Sequence, residues 1–370
     1  MDDKNSVKYR INKDFNGDIV IWSIVILLLT WSLLIIYSSS SSIAYRRMYN
    51  SSFYFFSKHL FSVCIGFCVI WITYKMDYRY FASLSKLGLI ASFIALIASW
   101  RYGVNINGAS RWIMIPIIHM SFQPSDLAQM SLLVNLAYFL SNFRREHFKS
   151  ENNVKMLMWI FFICALISLT KFSKGILLFV SCVMMMFISK YPLKRLFVFF
   201  IIISSLILIV ALCFGQRRMT IINRIKHHKN NEISYQTCRS FEAVASGGIF
   251  GRGPGNSAYR FFLPYSHSDY VFPIIIEEYG IIGGIFIVVL YLLLASRGML
   301  VLKKNNKDAF AKLVAVGLSF NVCMQALINI SVTLGLFPST GIQLPLISMG
   351  GTSTIFGCIE LGMILNVTKD

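Results

Sequence analysis

Apolar runs of 18 or more residues recur along the whole chain, and this feature limits the possible folds more than any other. A helical run of about 20 residues can cross the roughly 30 Å hydrocarbon core of a bilayer. Lipid offers no hydrogen bonds to backbone groups, so such runs form helices. Hydrophobic residues make up 56% of the chain and charged residues only 14%, too few to cover a water-facing surface. The chain is therefore predicted to be an all-α integral membrane protein.

The apolar runs predict a polytopic bundle of about ten transmembrane helices, forming a single domain over residues 1–370. The predicted spans cover residues 18–38, 54–74, 80–99, 123–141, 155–170, 173–189, 194–214, 270–296, 309–335 and 346–367. A long polar loop at about 215–269 separates the seventh span from the eighth. Loops of this length are usually functional or disordered.

The net charge of +19 would suggest nucleic-acid binding in a soluble protein. Here the basic residues occupy short segments between apolar runs, so nucleic acid is not an expected partner. With the N-terminus inside, the short inner segments hold 19 Lys and Arg residues and the short outer segments hold 7. The positive-inside rule therefore predicts that both termini are cytoplasmic. It also makes the 215–269 loop extracytoplasmic.

Ionisable residues within or beside a span are costly in lipid, so each one is a functional candidate. Asp269 directly precedes the eighth span, and Glu277 follows about two helical turns later on a similar face. This pair favours a base at the outer interface over a simple helix cap. Asp126 follows Pro124 at the start of the fourth span, which favours an ordinary helix start. Glu360 lies inside the last span, where it can pair with a polar group or face a cavity.

Two further segments interrupt the apolar pattern. The run Ser246–Ser257 contains five glycines and Arg252. Its backbone can cradle phosphate oxygens with Arg252 beside them, but a tight loop with positive φ explains the glycines equally well. Near the C-terminus, Pro338–Ser353 contains two prolines and the pair Gly350-Gly351. Irregular backbone at membrane depth requires a protein or cavity environment, so a re-entrant element beside a polar cavity is predicted.

Five motifs occur in an order that is typical of one family. They are Gly108-Ala-Ser-Arg-Trp112, Phe122-Gln-Pro-Ser-Asp126, the glycine run ending at Ser257, Ser268-Asp-Tyr270 followed by Glu277-Glu-Tyr-Gly280, and Leu344-Pro-Leu-Ile-Ser-Met-Gly-Gly-Thr-Ser353. In this order and spacing, the chain resembles the SEDS (shape, elongation, division and sporulation) family over nearly its whole length. The last motif is closest to the form found in the FtsW branch.

The resemblance implies a peptidoglycan glycosyltransferase that polymerises lipid II at the outer face of the bacterial cytoplasmic membrane. It further implies a role in cell division, at the septum. The partners would be a class B penicillin-binding protein, which is a transpeptidase, and other division proteins. The family's essential acid corresponds to Asp269, the expected general base of an inverting transfer. A divalent cation, Mg²⁺ or Mn²⁺, is an optional cofactor, and no protein-bound metal site is predicted. The candidate substrate-binding residues are Arg111, Gln123, Ser125, Asp126, Arg252, His267, Glu277, Glu278, Ser348, Gly350 and Gly351.

The chain departs from the family pattern at two places. Gln129 stands where the Gln-Pro-Ser-Glu-x-x-Lys motif has its lysine. The stretch containing Ser173 and Lys174 lacks the acid of the family's Asp-Leu-Gly motif. Two other functions stay open: a lipid II flippase or other transporter, which needs polar groups through the bilayer midplane, and a non-catalytic division scaffold that recruits the transpeptidase.

Overall fold

The computed structural model describes residues 17–46, 52–106, 109–115, 120–143, 150–214, 235–304 and 307–369. These ranges contain eleven α-helices and one small sheet. The helices are α1 (Ile19–Arg46), α2 (Ser52–Lys75), α3 (Arg79–Tyr102), α4 (Pro124–Phe143), α5 (Ser150–Thr170), α6 (Phe172–Ile188), α7 (Leu193–Phe214), α8 (Tyr235–Gly247), α9 (Val271–Leu300), α10 (Ala309–Thr333) and α11 (Thr352–Val367).

All helices except α8 overlap one of the predicted spans, so the helical membrane fold is confirmed. By length and composition, six described helices can each cross a bilayer: α1, α2, α3, α5, α9 and α10. Helices α6 and α11 are also apolar but shorter. The first span extends to Arg46, eight residues beyond the predicted end at 38, and the last span begins at Thr352 and not at 346. Positive φ angles at Leu346 (65°) and Gly351 (58°) keep the intervening segment out of the helix.

The sequence prediction missed two elements outside the spans. Strands β1 (Val104–Ile106), β2 (Ala109–Ile115) and β3 (Met120–Phe122) form an antiparallel sheet in the order β1-β2-β3, an addition to the predicted all-α class. Helix α8 lies in the predicted 215–269 loop, of which residues 215–234 lie outside the described residues. The Ser240 hydroxyl donates to the Thr333 carbonyl oxygen at 2.6 Å and ties α8 to the end of α10.

Helices α2 and α11 pack closely because α11 presents a glycine to α2. A Cβ atom at Gly362 would overlap the Thr73 hydroxyl. Without a hydrophobic force between helices in lipid, such small residues allow the close backbone approach that holds helices together. Asn366 extends the contact, since its Nδ2 donates to the carbonyl oxygens of Thr73 and Tyr74 at 3.0 and 2.7 Å. Those carbonyls belong to the last turn of α2, where helical partners are missing.

We expect Gly362→Ala to lower the stability of the purified chain by about 1–3 kcal/mol, because the added methyl group forces α2 and α11 apart. The matched control is Gly357→Ala on the same helix, where the new Cβ would lie 3.3 Å from the flexible end of Leu346. Its effect should stay within about 0.5 kcal/mol. Thermal unfolding of both variants in one detergent measures the difference. Equal midpoints would contradict the proposed role of Gly362.

Candidate functional site

Helix α9 is broken at Gly280, where φ is 72° and ψ is −176°. The break removes the helical partners of the Glu277 and Glu278 carbonyl oxygens. The amide of Arg252 donates to Glu277 O, and the amide of Gly253 donates to Glu278 O, both at 2.9 Å. Backbone groups released by a kink need new partners when they are buried. Residues 247–255, which we call the glycine run, supply these partners.

The same run also accepts hydrogen bonds from the far side of the break. The amides of Ile281 and Ile282 donate to the carbonyl oxygens of Gly248 and Ile249 at 3.0 and 3.4 Å. Two backbone hydrogen bonds within α9 are thus replaced by hydrogen bonds to the loop. The glycine run therefore packs directly against the backbone of α9.

The close approach explains why glycines are required here. A Cβ atom at Gly247 or Gly251 would overlap the backbone of α9 at Ile276 or Glu278. The Gly251 amide donates to Gly247 O at 2.8 Å, so three successive amides, those of residues 251–253, already bond within the protein. The tight-loop interpretation of the glycines is therefore supported, and these three amides are not directed at an open phosphate site.

Glu277 anchors the far end of this loop. Its fully buried carboxylate accepts hydrogen bonds from the Ser257 hydroxyl and from the amides of Ala258 and Tyr259, at 2.8 and 3.3 Å for the amides. The Arg252 guanidinium lies 3.8 Å from the same carboxylate and is 45% exposed. Glu277 is thus a loop anchor, whereas Arg252 presents positive charge to the surface.

Glu278 bonds to a part of α1 that the sequence analysis overlooked. Its carboxylate accepts from the Ser38 hydroxyl, and Arg260 Nη1 donates to Ser38 Oγ at 2.9 Å. A few residues further along α1, the hydroxyls of Ser42 and Ser266 lie 3.1 Å apart. The signal for this contact was visible in the sequence, because residues 38–42 are five consecutive serines at the end of an apolar span.

Asp269 stands just before α9 and does not cap it, since the N-cap residue is Tyr270. The side chain is half-buried. Its Oδ2 atom lies 3.3 Å from the position that a Cβ at Gly341 would occupy. A larger residue at position 341 would therefore crowd the carboxylate, and Gly341 itself has a φ of 69°.

The backbone leading to Asp269 is held by three hydrogen bonds to successive carbonyl oxygens. They run from Met349 N to His267 O at 2.9 Å, from Ser348 Oγ to Ser268 O at 2.6 Å, and from Asn329 Nδ2 to Asp269 O at 2.8 Å. Two of the donors belong to the irregular segment between α10 and α11. That segment therefore sets the position of the Asp269 backbone, which sequence separation alone did not reveal.

A small polar cavity lies beneath the irregular segment, between α4, α6, α10 and α11. Its volume of about 30 Å³ is enough for roughly two water molecules. The Lys174 ammonium group donates to Asp126 Oδ1, and their side chains are only 7% and 6% exposed. Glu360 and Ser348 line the same cavity. Glu360 thus faces a cavity, one of the two alternatives that the sequence left open.

The cavity also contains one of the two departures from the motifs of the resemblance. Gln129 lines it, and Lys174 of α6 brings a cation to the same cavity. Asp126 does stand in the first turn of α4, as predicted, but its side chain also forms a buried ion pair. Asp126 Oδ2, Gln129 Oε1 and Thr354 Oγ1 are buried without a protein hydrogen bond among the described residues. Water in the cavity would satisfy them.

The remaining candidates lie at element ends. Gln123 Nε2 donates to Ser125 Oγ at 2.8 Å at the start of α4. Gly351 precedes α11, and Gly350 leaves room for the Gln343 side chain. The backbone of Arg111 belongs to β2, but its side chain lies outside the described residues. The structure therefore bonds Ser348 to the backbone between His267 and Asp269, brings Arg252 near Glu277, and places Asp126 and Ser348 in one cavity.

Residues 18–370 match the family model FtsW/RodA/SpoVE, described as cell cycle protein. The chain belongs to this family. Stage V sporulation protein E of Bacillus subtilis is 30% identical over 364 residues, covering 96% of this chain and 98% of the relative. A probable peptidoglycan glycosyltransferase FtsW of Coxiella burnetii is 28% identical over 334 residues, covering 88% of this chain and 89% of the relative. The resemblance noted from the motifs is confirmed.

Two solved structures share the fold of this family member. The rod shape determining protein RodA of Thermus thermophilus aligns with a TM-score of 0.69 and 21% identity, covering 96% of this chain and 97% of that one. A chain from a peptidoglycan synthase complex that coordinates polymerization and crosslinking aligns with a TM-score of 0.73 and 20% identity, covering 96% and 98%. The chain is thus a multi-pass membrane protein with their helical architecture.

We expect Lys174→Met to destabilise the chain by about 3–5 kcal/mol, because it leaves buried carboxylates without their counter-charge. Exchanging the pair, Asp126→Lys with Lys174→Asp, should recover much of the loss. The control is Lys155→Met on the exposed start of α5. Thermal unfolding in detergent measures all three. If Lys174→Met were as stable as the control, the cluster would not depend on this cation.

Proposed function

We propose that the chain is a peptidoglycan glycosyltransferase that polymerises lipid II at the outer face of the cytoplasmic membrane during cell division. The placement of Asp269 carries the proposal. This carboxylate stands at the end of a span, and hydrogen bonds to three successive backbone carbonyl oxygens hold its position. Fixed geometry of this kind is what a general base requires. Relatives named as probable peptidoglycan glycosyltransferases support the same reaction.

In the proposed reaction, the Asp269 carboxylate removes the proton from the 4-hydroxyl of the acceptor sugar. The resulting oxygen nucleophile attacks the anomeric carbon of the donor. The bond from that carbon to undecaprenyl pyrophosphate breaks, and the lipid pyrophosphate leaves with its electron pair. A single displacement inverts the anomeric configuration. A positioned base contributes about 10²–10⁴-fold to such a step.

The departing pyrophosphate needs positive charge directed at it. Arg252 suits this role because its guanidinium is 45% exposed at the glycine run, and Arg111 is the other proposed donor. Among the described residues, no group of three or more His, Cys, Asp and Glu side chains is arranged to hold a metal. The proposed steps use no metal ion.

Contacts among helix ends at one side of the bundle support the proposed orientation. Asp18 at the start of α1 lies 3.7 Å from Arg297 at the end of α9. Tyr78 donates to Asp308 at 2.5 Å, and Asn366 bonds to the end of α2. These contacts gather one end of the bundle, at the opposite end of α9 from Asp269. We assign this end and both termini to the cytoplasm, and Asp269 to the outer face.

We further propose that the chain works at the division septum with a class B penicillin-binding protein and other division proteins. In this scheme the chain synthesises glycan strands, and the transpeptidase cross-links these strands. A structural neighbour that belongs to a synthase complex coordinating polymerization and crosslinking supports such an arrangement. Binding of the partner is tested by co-purification of the two chains from membranes.

A flippase is disfavoured by the size of the buried polar cavity. A transporter needs polar groups along a path through the membrane, and the Asp126, Lys174 and Glu360 cluster is the polar element that a path would use. Its cavity of about 30 Å³ has room for roughly two water molecules. In this conformation it has no room for a disaccharide-pentapeptide headgroup. Measurements of glycan-strand formation and of transpeptidase binding distinguish a glycosyltransferase from a non-catalytic scaffold.

We expect Asp269→Asn to reduce glycan-strand formation from fluorescent lipid II by at least about 100-fold, because the amide cannot accept the proton. The assay uses the purified chain with its cognate transpeptidase, and gel electrophoresis resolves the strands. The matched control is Asp77→Asn, an exposed residue at the other end of the bundle, which should retain full activity.

The two variants must also unfold at the same temperature and bind the transpeptidase equally well. Full activity of Asp269→Asn would exclude the proposed base. No product from any variant, in an assay validated with an active relative, would instead favour a scaffold.

A further inference from the structure

A second and larger cavity lies on the flank of the bundle, between α5 and α7. It encloses about 1000 Å³ and is open along one side. Its walls are largely apolar, with Leu157 and Phe161 on α5 facing Phe199 and Ile203 on α7. We call it the α5–α7 groove. None of its residues belongs to the candidate active site.

The groove has the length of one membrane leaflet. On α5 it extends from Asn153 to Phe162, and on α7 from Lys194 to Leu206. At 1.5 Å per residue, these stretches cover about 14 and 18 Å. Half of the hydrocarbon core is roughly 15 Å thick. An acyl chain from one leaflet would therefore fill the groove from end to end.

The polar groups of the groove are all at one end. Asn153, Tyr191, Lys194 and Arg195 line the end where α5 and α7 begin, whereas Phe162 and other apolar side chains line the opposite end. Both Lys194 and Arg195 are exposed. Basic pockets between spans on the cytoplasmic side suit the headgroups of anionic lipids. This is also the side to which the positive-inside rule assigns both residues.

We propose that the α5–α7 groove binds one anionic phospholipid. One of its acyl chains lies between Phe161 and Phe199, and its phosphate contacts Lys194 and Arg195. Charge complementarity selects the occupant, because a zwitterionic lipid such as phosphatidylcholine carries no net negative charge to the basic end. The site faces the cytoplasmic leaflet and is independent of the proposed glycosyl transfer at the outer face.

The test is covalent labelling of the full chain in nanodiscs by phosphatidylglycerol with a photoactivatable acyl chain. Peptide mapping by mass spectrometry should locate the label on α5 and α7. The double variant Lys194→Gln/Arg195→Gln should lose about 30-fold in labelling, since each of the two basic residues contributes roughly 1 kcal/mol to anionic-lipid binding. The matched control, Lys303→Gln/Lys304→Gln, removes an exposed basic pair outside the groove and should label normally.

A second pair of variants tests the acyl-chain position without changing charge. Val198→Trp places a large ring in the groove and should reduce labelling by a similar factor. Ile201→Trp, at a 50% exposed position of the same helix outside the groove lining, should not. Circular dichroism and gel filtration confirm that all variants fold. Equal labelling by phosphatidylcholine, or equal loss in a variant and its control, would overturn the proposal.

Discussion

A helix inside a bilayer cannot leave its backbone groups without partners, and the break at Gly280 makes this constraint decisive here. The glycine run repairs the broken ladder by donating to Glu277 and Glu278 and by accepting from Ile281 and Ile282. Backbone hydrogen bonds in both directions thereby join the run to α9. The chain between the run and Asp269 is short, and Ser257, Ala258 and Tyr259 within it bond to Glu277, so the contacts around the kink also restrain the segment that leads to Asp269.

The same avoidance of unpaired groups explains the buried charges. Glu277 accepts from a hydroxyl and from backbone amides, while one oxygen of Glu278 accepts from Ser38 and one oxygen of Asp126 accepts from Lys174. Each pair links segments that are distant in the sequence. Removing one partner of a buried ion pair costs far more than the pair contributes in net stability. These contacts therefore specify which segments meet.

The sequence predicted the spans well, because a run of about 20 apolar residues is long enough to cross the hydrocarbon core of a bilayer. It also singled out Asp269, whose catalytic role stays a prediction. The expectation that Asp269 and Glu277 share a helix face was wrong, since α9 begins only after Tyr270. Helix α8 and the sheet were missed because both are short and lie outside lipid, where no long apolar run marks them. The serine run was visible in the sequence, but its partner Glu278 was not.

The sequence by itself determined the membrane environment, the approximate spans, the charge bias and the family, because these depend on local composition and on the order of motifs. Only the tertiary structure decided that Lys174 and Gln129 line the same cavity and that Glu277 anchors a loop. It alone also decided that residues of the 341–349 segment hold the Asp269 backbone. These pairings join helices through space, and a linear pattern carries no information on which buried groups face each other.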